Sequence, residues 1–274
     1  MQRRALLQLS NLTVKYRVNK PMRLFSYALT LYALVVGHSV MAVNLPEHIK
    51  NIKPSIVAIG LMNPTASPRI QLLGTGFVVG NGKQVATNFH VVAKRADTTK
   101  LEQYVVLSGQ GEKIEVHPVL QTSEDIAHDI ALLSIEKALP ALRLAQGAML
   151  AEGSTISFTG YPITSILGLY PATHQGIIAA HTPVVIPAQN SKELQTRTIR
   201  ALKEPYLVYQ LDATAYPGNS GSPLFSLDDG KVIAIINRVH VKSTKEAVLS
   251  NPSGITYAIP VNYLQILLES SNKS

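Results

Sequence analysis

Gly218-Asn219-Ser220-Gly221-Ser222-Pro223 sets a serine between glycines, immediately ahead of the apolar pair Leu224-Phe225. A serine hydroxyl is a weak nucleophile at neutral pH. It needs a base beside it and hydrogen-bond donors in front of it to hold developing negative charge. Glycines on either side let the backbone bend so that successive N–H groups point into one hollow. Turns rich in Gly and Ser are common in loops, so the hexapeptide gains meaning only from what accompanies it.

Two segments accompany it. In Gly74-Thr-Gly-Phe-Val-Val-Gly80 and Val85-Ala-Thr-Asn-Phe-His-Val-Val92, two short strands flank an Asn81-Gly82 turn, a hairpin signal. His90 follows the second strand, where it can face a cleft while its apolar neighbours anchor it. In His128-Asp129-Ile-Ala-Leu-Leu-Ser-Ile135 an aspartate opens an apolar run of strand length. A carboxylate there can accept the Nδ1–H of a histidine, fix its tautomer and support the imidazolium. Asp125-Ile-Ala repeats the pattern four residues earlier; Asp129 is preferred because the continuous strand starts directly after it.

These residues occur in the order His90, Asp129, Ser220, that of the chymotrypsin-like double barrel. Thr87-Asn-Phe-His-Val-Val92, Asp129-Ile-Ala-Leu-Leu133, Asp212-Ala-Thr-Ala-Tyr-Pro217 and the closing Ile255-Thr-Tyr-Ala-Ile-Pro-Val261 resemble bacterial trypsin-like serine peptidases of the HtrA/Deg type, over about residues 50 to 268. The resemblance implies an all-β fold of two six-stranded antiparallel β-barrels with a C-terminal helix. It implies a serine endopeptidase acting on polypeptides, with His90, Asp129 and Ser220 as catalytic residues and the backbone N–H groups of Gly218 and Ser220 as oxyanion donors. Thr214 and Ala215, just before the nucleophile, and Ile235, Ile236 and Asn237 on the following strand would line the substrate site. All are small, apolar or uncharged, so cleavage after small or aliphatic residues is expected, with the substrate backbone pairing along Ile235 to Asn237.

The chain departs from that family in two respects. Gly221-Ser222-Pro223 stands where Deg-type proteins have Gly-Gly after the nucleophile, and is similar to V8-type glutamyl endopeptidases. Those enzymes read a substrate carboxylate with a histidine on the later strand, a place held here by Ile235 or Ile236, so glutamate specificity is not expected. A peptide-sensing PDZ module is not expected either.

The chain has 274 residues, a formal charge of +8, and neither cysteine nor tryptophan. Six of its 25 basic residues and none of its 17 acidic ones lie in residues 1–42, which leaves a formal charge of about +2 on the remainder. The basic bias thus belongs to the leading segment, and nucleic-acid binding loses its main support. Arg23 precedes the apolar Leu24 to Val36 and then the small-residue site Val40-Met41-Ala42, the pattern of a secretory signal cleaved after Ala42. A retained anchor is the competing reading; the apolar stretch is short for a bilayer span. Without cysteine, thiol chemistry and disulfides are excluded.

Short apolar runs separated by Gly, Pro, Asn and Ser recur: Ser55 to Gly60, Leu101 to Leu107, Thr155 to Thr159, Tyr206 to Leu211 and Lys231 to Ile236. Such spacing predicts an all-β barrel or sandwich. Helices are expected over Pro46 to Ile52 and Val261 to Ser270. The expected organisation is a leader over 1–42, a first barrel over 43–150 and a second barrel with the C-terminal helix over 151–274. Residues 187 to 205 read as an inserted polar loop. His117, His174, His181 and His240 lack paired ligand spacing, so neither metal nor cofactor is expected. Two other classes compete: a catalytically silent binding module of the same fold, and an esterase. The second lacks the Gly-x-Ser-x-Gly elbow, because Ser222 stands where the second glycine belongs. Self-association is left open.

Overall fold

Strands dominate the chain because most of its apolar runs are short and rich in β-branched residues. The computed structural model describes residues 43–162, 168–184, 205–239 and 255–272. The expected leader, His240 and nearly all of the 187–205 loop lie outside these residues.

Seven strands form the first half: β1 (Ile56–Met62), β2 (Ile70–Val79), β3 (Gln84–Thr87), β4 (Gln103–Gln110), β5 (Lys113–Pro118), β6 (Gln121–Asp125) and β7 (Ile130–Ser134). They pair antiparallel in the order β5-β4-β1-β2-β3-β7-β6. The hairpin expected around Asn81-Gly82 joins β2 to β3, with Phe77 opposite Ala86 and Val78 opposite Val85. The two outermost strands are halves of one ribbon, separated only by Val119 and Leu120. Val119 N–H donates to Tyr104 O (3.0 Å) and Leu120 N–H to Ser134 O (2.8 Å). The ribbon therefore leaves β4 and joins β7, and with its halves counted as one the ring has the six strands expected.

The second half is a closed antiparallel barrel in the order β10-β13-β12-β11-β8-β9. Its strands are β8 (Thr155–Gly160), β9 (Ala172–Pro183), β10 (Leu207–Asp212), β11 (Pro223–Ser226), β12 (Val232–Val239) and β13 (Ile255–Pro260). The connection between the halves touches both: Leu142 N–H donates to Val78 O, while Arg143 O and Ala145 N–H bracket Val232.

Side chains alternate along the strands, so the most buried strands serve two cores. Val57, Ile59, Val78, Val85, Ala131 and Leu133 fill the first ring. Their neighbours Ile56, Ala58, Phe77, Val79, Ile130 and Leu132 face the other way and meet Tyr161, Phe225, Ile235 and Ile259 of the second half. Ile156, Phe158, Ile178, Leu211, Leu224, Ile233 and Ile236 fill the second barrel. Tyr161, 1% exposed, ties the halves by donating from its hydroxyl to Gly109 O (2.8 Å) and to Ile56 O at a longer 3.3 Å. Burial pushes its phenol up to about 12.

Helix α1 (Leu45–Ile52) buries only Ile52. A further turn of helix, α2 (Phe89–Val92), follows β3. The C-terminal helix α3 (Val261–Ser271) buries Val261, Leu264 and Leu268, spacing that puts one stripe against the shared core.

Candidate active site

The chain leaves β3 at Thr87 and enters α2 through Asn88, so His90 comes just past a strand end. Val91 and Val92 are buried and anchor the turn, while the His90 side chain keeps 27% of its surface. Its Nδ1 lies 2.8 Å from Asp129 Oδ2, and its backbone N–H donates to Asp129 Oδ1 (3.0 Å). With Nδ1 as donor to the carboxylate, Nε2 is left as an acceptor.

Asp129 precedes β7 in a left-handed conformation (φ 58°). For a residue with a Cβ that costs about 1–3 kcal/mol and persists only where its surroundings over-determine it. They do so here. Asp129 O accepts the Phe89 N–H (3.1 Å) and Asn88 Nδ2 (3.1 Å), both carboxylate oxygens are bonded to His90, and the residue is 1% exposed. The Asn88 side chain, not among the residues expected at the site, is thus part of this support.

Asp125 has a different imidazole. Its Oδ2 lies 2.6 Å from His128 Nδ1 and its Oδ1 accepts the His128 N–H (3.1 Å). The His128 ring stacks on Tyr263 at 3.9 Å. Burial pushes the Asp125 carboxyl up, but the hydrogen bonds from His128 outweigh it and hold the group below the usual carboxylate range. Of the two candidate carboxylates, Asp129 is the one that meets His90.

Ser220 lies in a turn with Gly218 at φ 98° and Gly221 at φ 88°, both in the region glycine tolerates. Asn219 N–H donates to Tyr216 O (3.0 Å) and Ser222 N–H to Asn219 O (3.0 Å). Among the described residues neither the Gly218 nor the Ser220 N–H is engaged by a protein acceptor. The turn sits beside α2, with Gly74 between them: a Cβ there would come 2.9 Å from Val91 Cγ2 and 3.0 Å from Ser220 O. The Ser220 hydroxyl is directed to Asn237 O at 3.4 Å, the long limit of a hydrogen bond. Among the described residues no hydrogen bond joins it to His90.

The five residues expected to line the substrate site divide. Thr214 and Asn237 present surface. Ala215 is 1% exposed, and Ile235 and Ile236 are fully buried, Ile235 in the core between the halves and Ile236 in the second barrel. The backbone of Ile236 is also occupied: its O accepts the Gly221 N–H (2.9 Å) and its N–H donates to Ser222 O (2.8 Å). Ile235 pairs with Pro223 and Ile259. Among the described residues, the strand edge open to another chain therefore starts at Asn237, where the pairing of β12 with β13 is irregular, and not at Ile235.

Of the four other histidines singled out in the sequence, the three described ones have structural surroundings. His117 Nε2 lies 2.8 Å from Ser108 Oγ, His181 Nε2 lies 2.8 Å from Leu150 O, and His174 stacks on Phe158. Among the described residues no group of three or more His, Cys, Asp or Glu is arranged to hold a metal ion.

A family model described as trypsin-like peptidase domain matches residues 74–235. The chain is 30% identical over 197 residues to mitochondrial serine protease HTRA2 of Drosophila pseudoobscura, covering 72% of this chain and 38% of that protein. It is 30% identical over 192 residues to a protein of Halomonas elongata described as a DegP-like periplasmic serine endoprotease, covering 69% and 33%. It thus spans under two fifths of the length of these relatives. The crystal structure of the serine endoprotease from Yersinia pestis superposes with a TM-score of 0.58 at 22% identity, covering 82% of this chain and 65% of that one. That likeness bears on the fold alone.

Proposed function

Since the chain belongs to the trypsin-like peptidase domain family, we propose that it is a serine endopeptidase that uses Ser220, His90 and Asp129. The observation that carries this reading is the buried Asp129 carboxylate holding both Nδ1 and the backbone N–H of His90, beside a glycine-bracketed serine. Ser220 Oγ attacks the scissile carbonyl as His90 Nε2 takes its proton. The Gly218 and Ser220 N–H groups receive the oxyanion, and His90 returns the proton to the leaving amine. Water then hydrolyses the acyl-enzyme by the reverse roles. Asp129 orients the imidazole and stays ionised. For the attack, the Ser220 hydroxyl rotates from Asn237 O to His90.

The substrate is a polypeptide cleaved after small or aliphatic residues, with Thr214 at the pocket and the open edge of β12 at Asn237 as the place for its backbone. Residues 1–42 act as an export leader ahead of a first barrel (43–150) and a second barrel with the C-terminal helix (151–274). The periplasmic description of the Halomonas elongata relative supports placing the enzyme there.

One observation favours a second reading, a silent module of the same fold: the hydroxyl faces Asn237 O and not His90. A fluorophosphonate probe separates the two. Rapid labelling that is lost in Ser220→Ala, together with loss of peptide turnover, is the expected result. Turnover that survives in Ser220→Ala rules the reading out, and a folded protein that neither labels nor cleaves supports the silent module.

A further inference from the structure

Thr75, on β2 of the first half, is fully buried and hydrogen-bonded through every polar atom it has. Its N–H donates to Ser220 O (2.9 Å) and its hydroxyl donates to Gly218 O (2.7 Å). The same hydroxyl accepts the Tyr161 N–H (2.9 Å), and its carbonyl accepts the Thr87 hydroxyl (2.7 Å). A residue 143 positions away in sequence therefore grips the nucleophile turn at two successive alternate carbonyls.

A peptide unit is planar, with C=O and N–H pointing to opposite sides. In the unit between Gly218 and Asn219, Thr75 holds the C=O and Tyr216 O holds the N–H. In the unit between Asn219 and Ser220, the Ser222 N–H holds the C=O, which leaves the Ser220 N–H facing the other way. The remaining freedom is the unit between Pro217 and Gly218, whose rotation would turn the Gly218 N–H out of the hollow. Gly218, at φ 98° and without a Cβ, offers little steric resistance to such a flip. What limits it is the fixed carbonyl on the other side of Gly218.

We propose that Thr75 is a positioning residue for the oxyanion donors: its hydroxyl, supplied by the first half of the molecule, keeps the Gly218 N–H aimed into the site. This rests on the serine-endopeptidase reading. Thr75 touches neither substrate nor the reacting atoms, and acts only through Gly218 and Ser220.

The test compares Thr75→Val, which keeps the shape and removes the hydroxyl, with Thr75→Ser, which keeps the hydroxyl. Thr75→Cys, a weak donor of similar bulk, serves if the valine variant does not fold. Each is assayed with an ester substrate and with its thionoester, whose sulfur accepts hydrogen bonds poorly. The expected result is a loss in kcat on the order of 10²-fold with KM little changed for Thr75→Val, the size seen when one oxyanion donor is lost. Thr75→Ser recovers most of the activity, and Thr75→Cys falls between them. The preference for ester over thionoester collapses in the valine or cysteine variant, which a general loss of folding would not produce. Wild-type kcat in Thr75→Val or Thr75→Cys overturns the inference, as does an equal loss on both substrates. If these variants are active while Ser220→Ala is dead, the inference fails and the reading stands; if Ser220→Ala is active, both fail.

Discussion

Asp125 and Asp129 each bond one imidazole and are four residues apart, so they offer an internal control at the residue scale. Asp129→Asn keeps the shape of the carboxylate but favours the wrong imidazole tautomer, and a loss in kcat on the order of 10⁴-fold is expected. Asp125→Asn removes the charge from the His128 pair and leaves the His90 bond intact, so peptide turnover near wild type is expected. Steady-state kinetics on the two variants checks this; comparable losses in both would show that Asp129 has no special role. Both aspartates were legible as candidates because each opens an Ile-Ala segment, and the apolar run after Asp129 favoured it. The Asn88 amide and the Thr75 hydroxyl were not legible. Each acts on a backbone carbonyl remote in sequence, and nothing in the local pattern of residue types points to such a partner.

The strands that the sequence announced are those buried on both faces. β1 and β7 are nearly unbroken apolar runs because alternate residues enter different cores. β5, β6 and β9 are not legible for the converse reason: Lys113–Pro118, Gln121–Asp125 and Ala172–Pro183 are mostly exposed or half-buried, and apart from Ile177 to Ala180 they carry no continuous apolar run. The strand proposed to meet the substrate is a third case. Its existence over Lys231 to Ile236 was plain, but which of its residues stay open depends on the register with β11 and β13, and that is set by long-range pairing. With only Thr214 and Asn237 presenting surface, profiling with a peptide library is expected to show small or aliphatic residues before the cut. A dominant Arg, Lys or Glu would contradict the proposed preference.

At the scale of the whole molecule, three of the described histidines are points of attack for acid. Burial lowers the pKa of His48 on α1, of His117 on β5 and of His174 on β9 below the ordinary 6.5. The unfolded chain therefore takes up these protons at a higher pH than the folded one. Stability is fully present above pH 6.5 and falls as the pH drops from there toward the folded-state values. Thermal unfolding followed by circular dichroism is expected to show a melting temperature that declines across that window. His174→Phe, which keeps a ring against Phe158, should shallow the decline without abolishing it, since two histidines remain; an unchanged profile would show that His174 does not contribute.

The bent ribbon from Lys113 to Asp125 has one more consequence. By serving β4 with one half and β7 with the other, it leaves the first sheet two rims of only six and five residues that pair with no further strand among the described residues. Lys113 and Glu115 interrupt one, and Glu124 and Asp125 the other. A foreign polypeptide laid alongside would find no flat apolar template on which to add itself, so this half of the molecule is guarded against the edge-to-edge growth that leads to fibres.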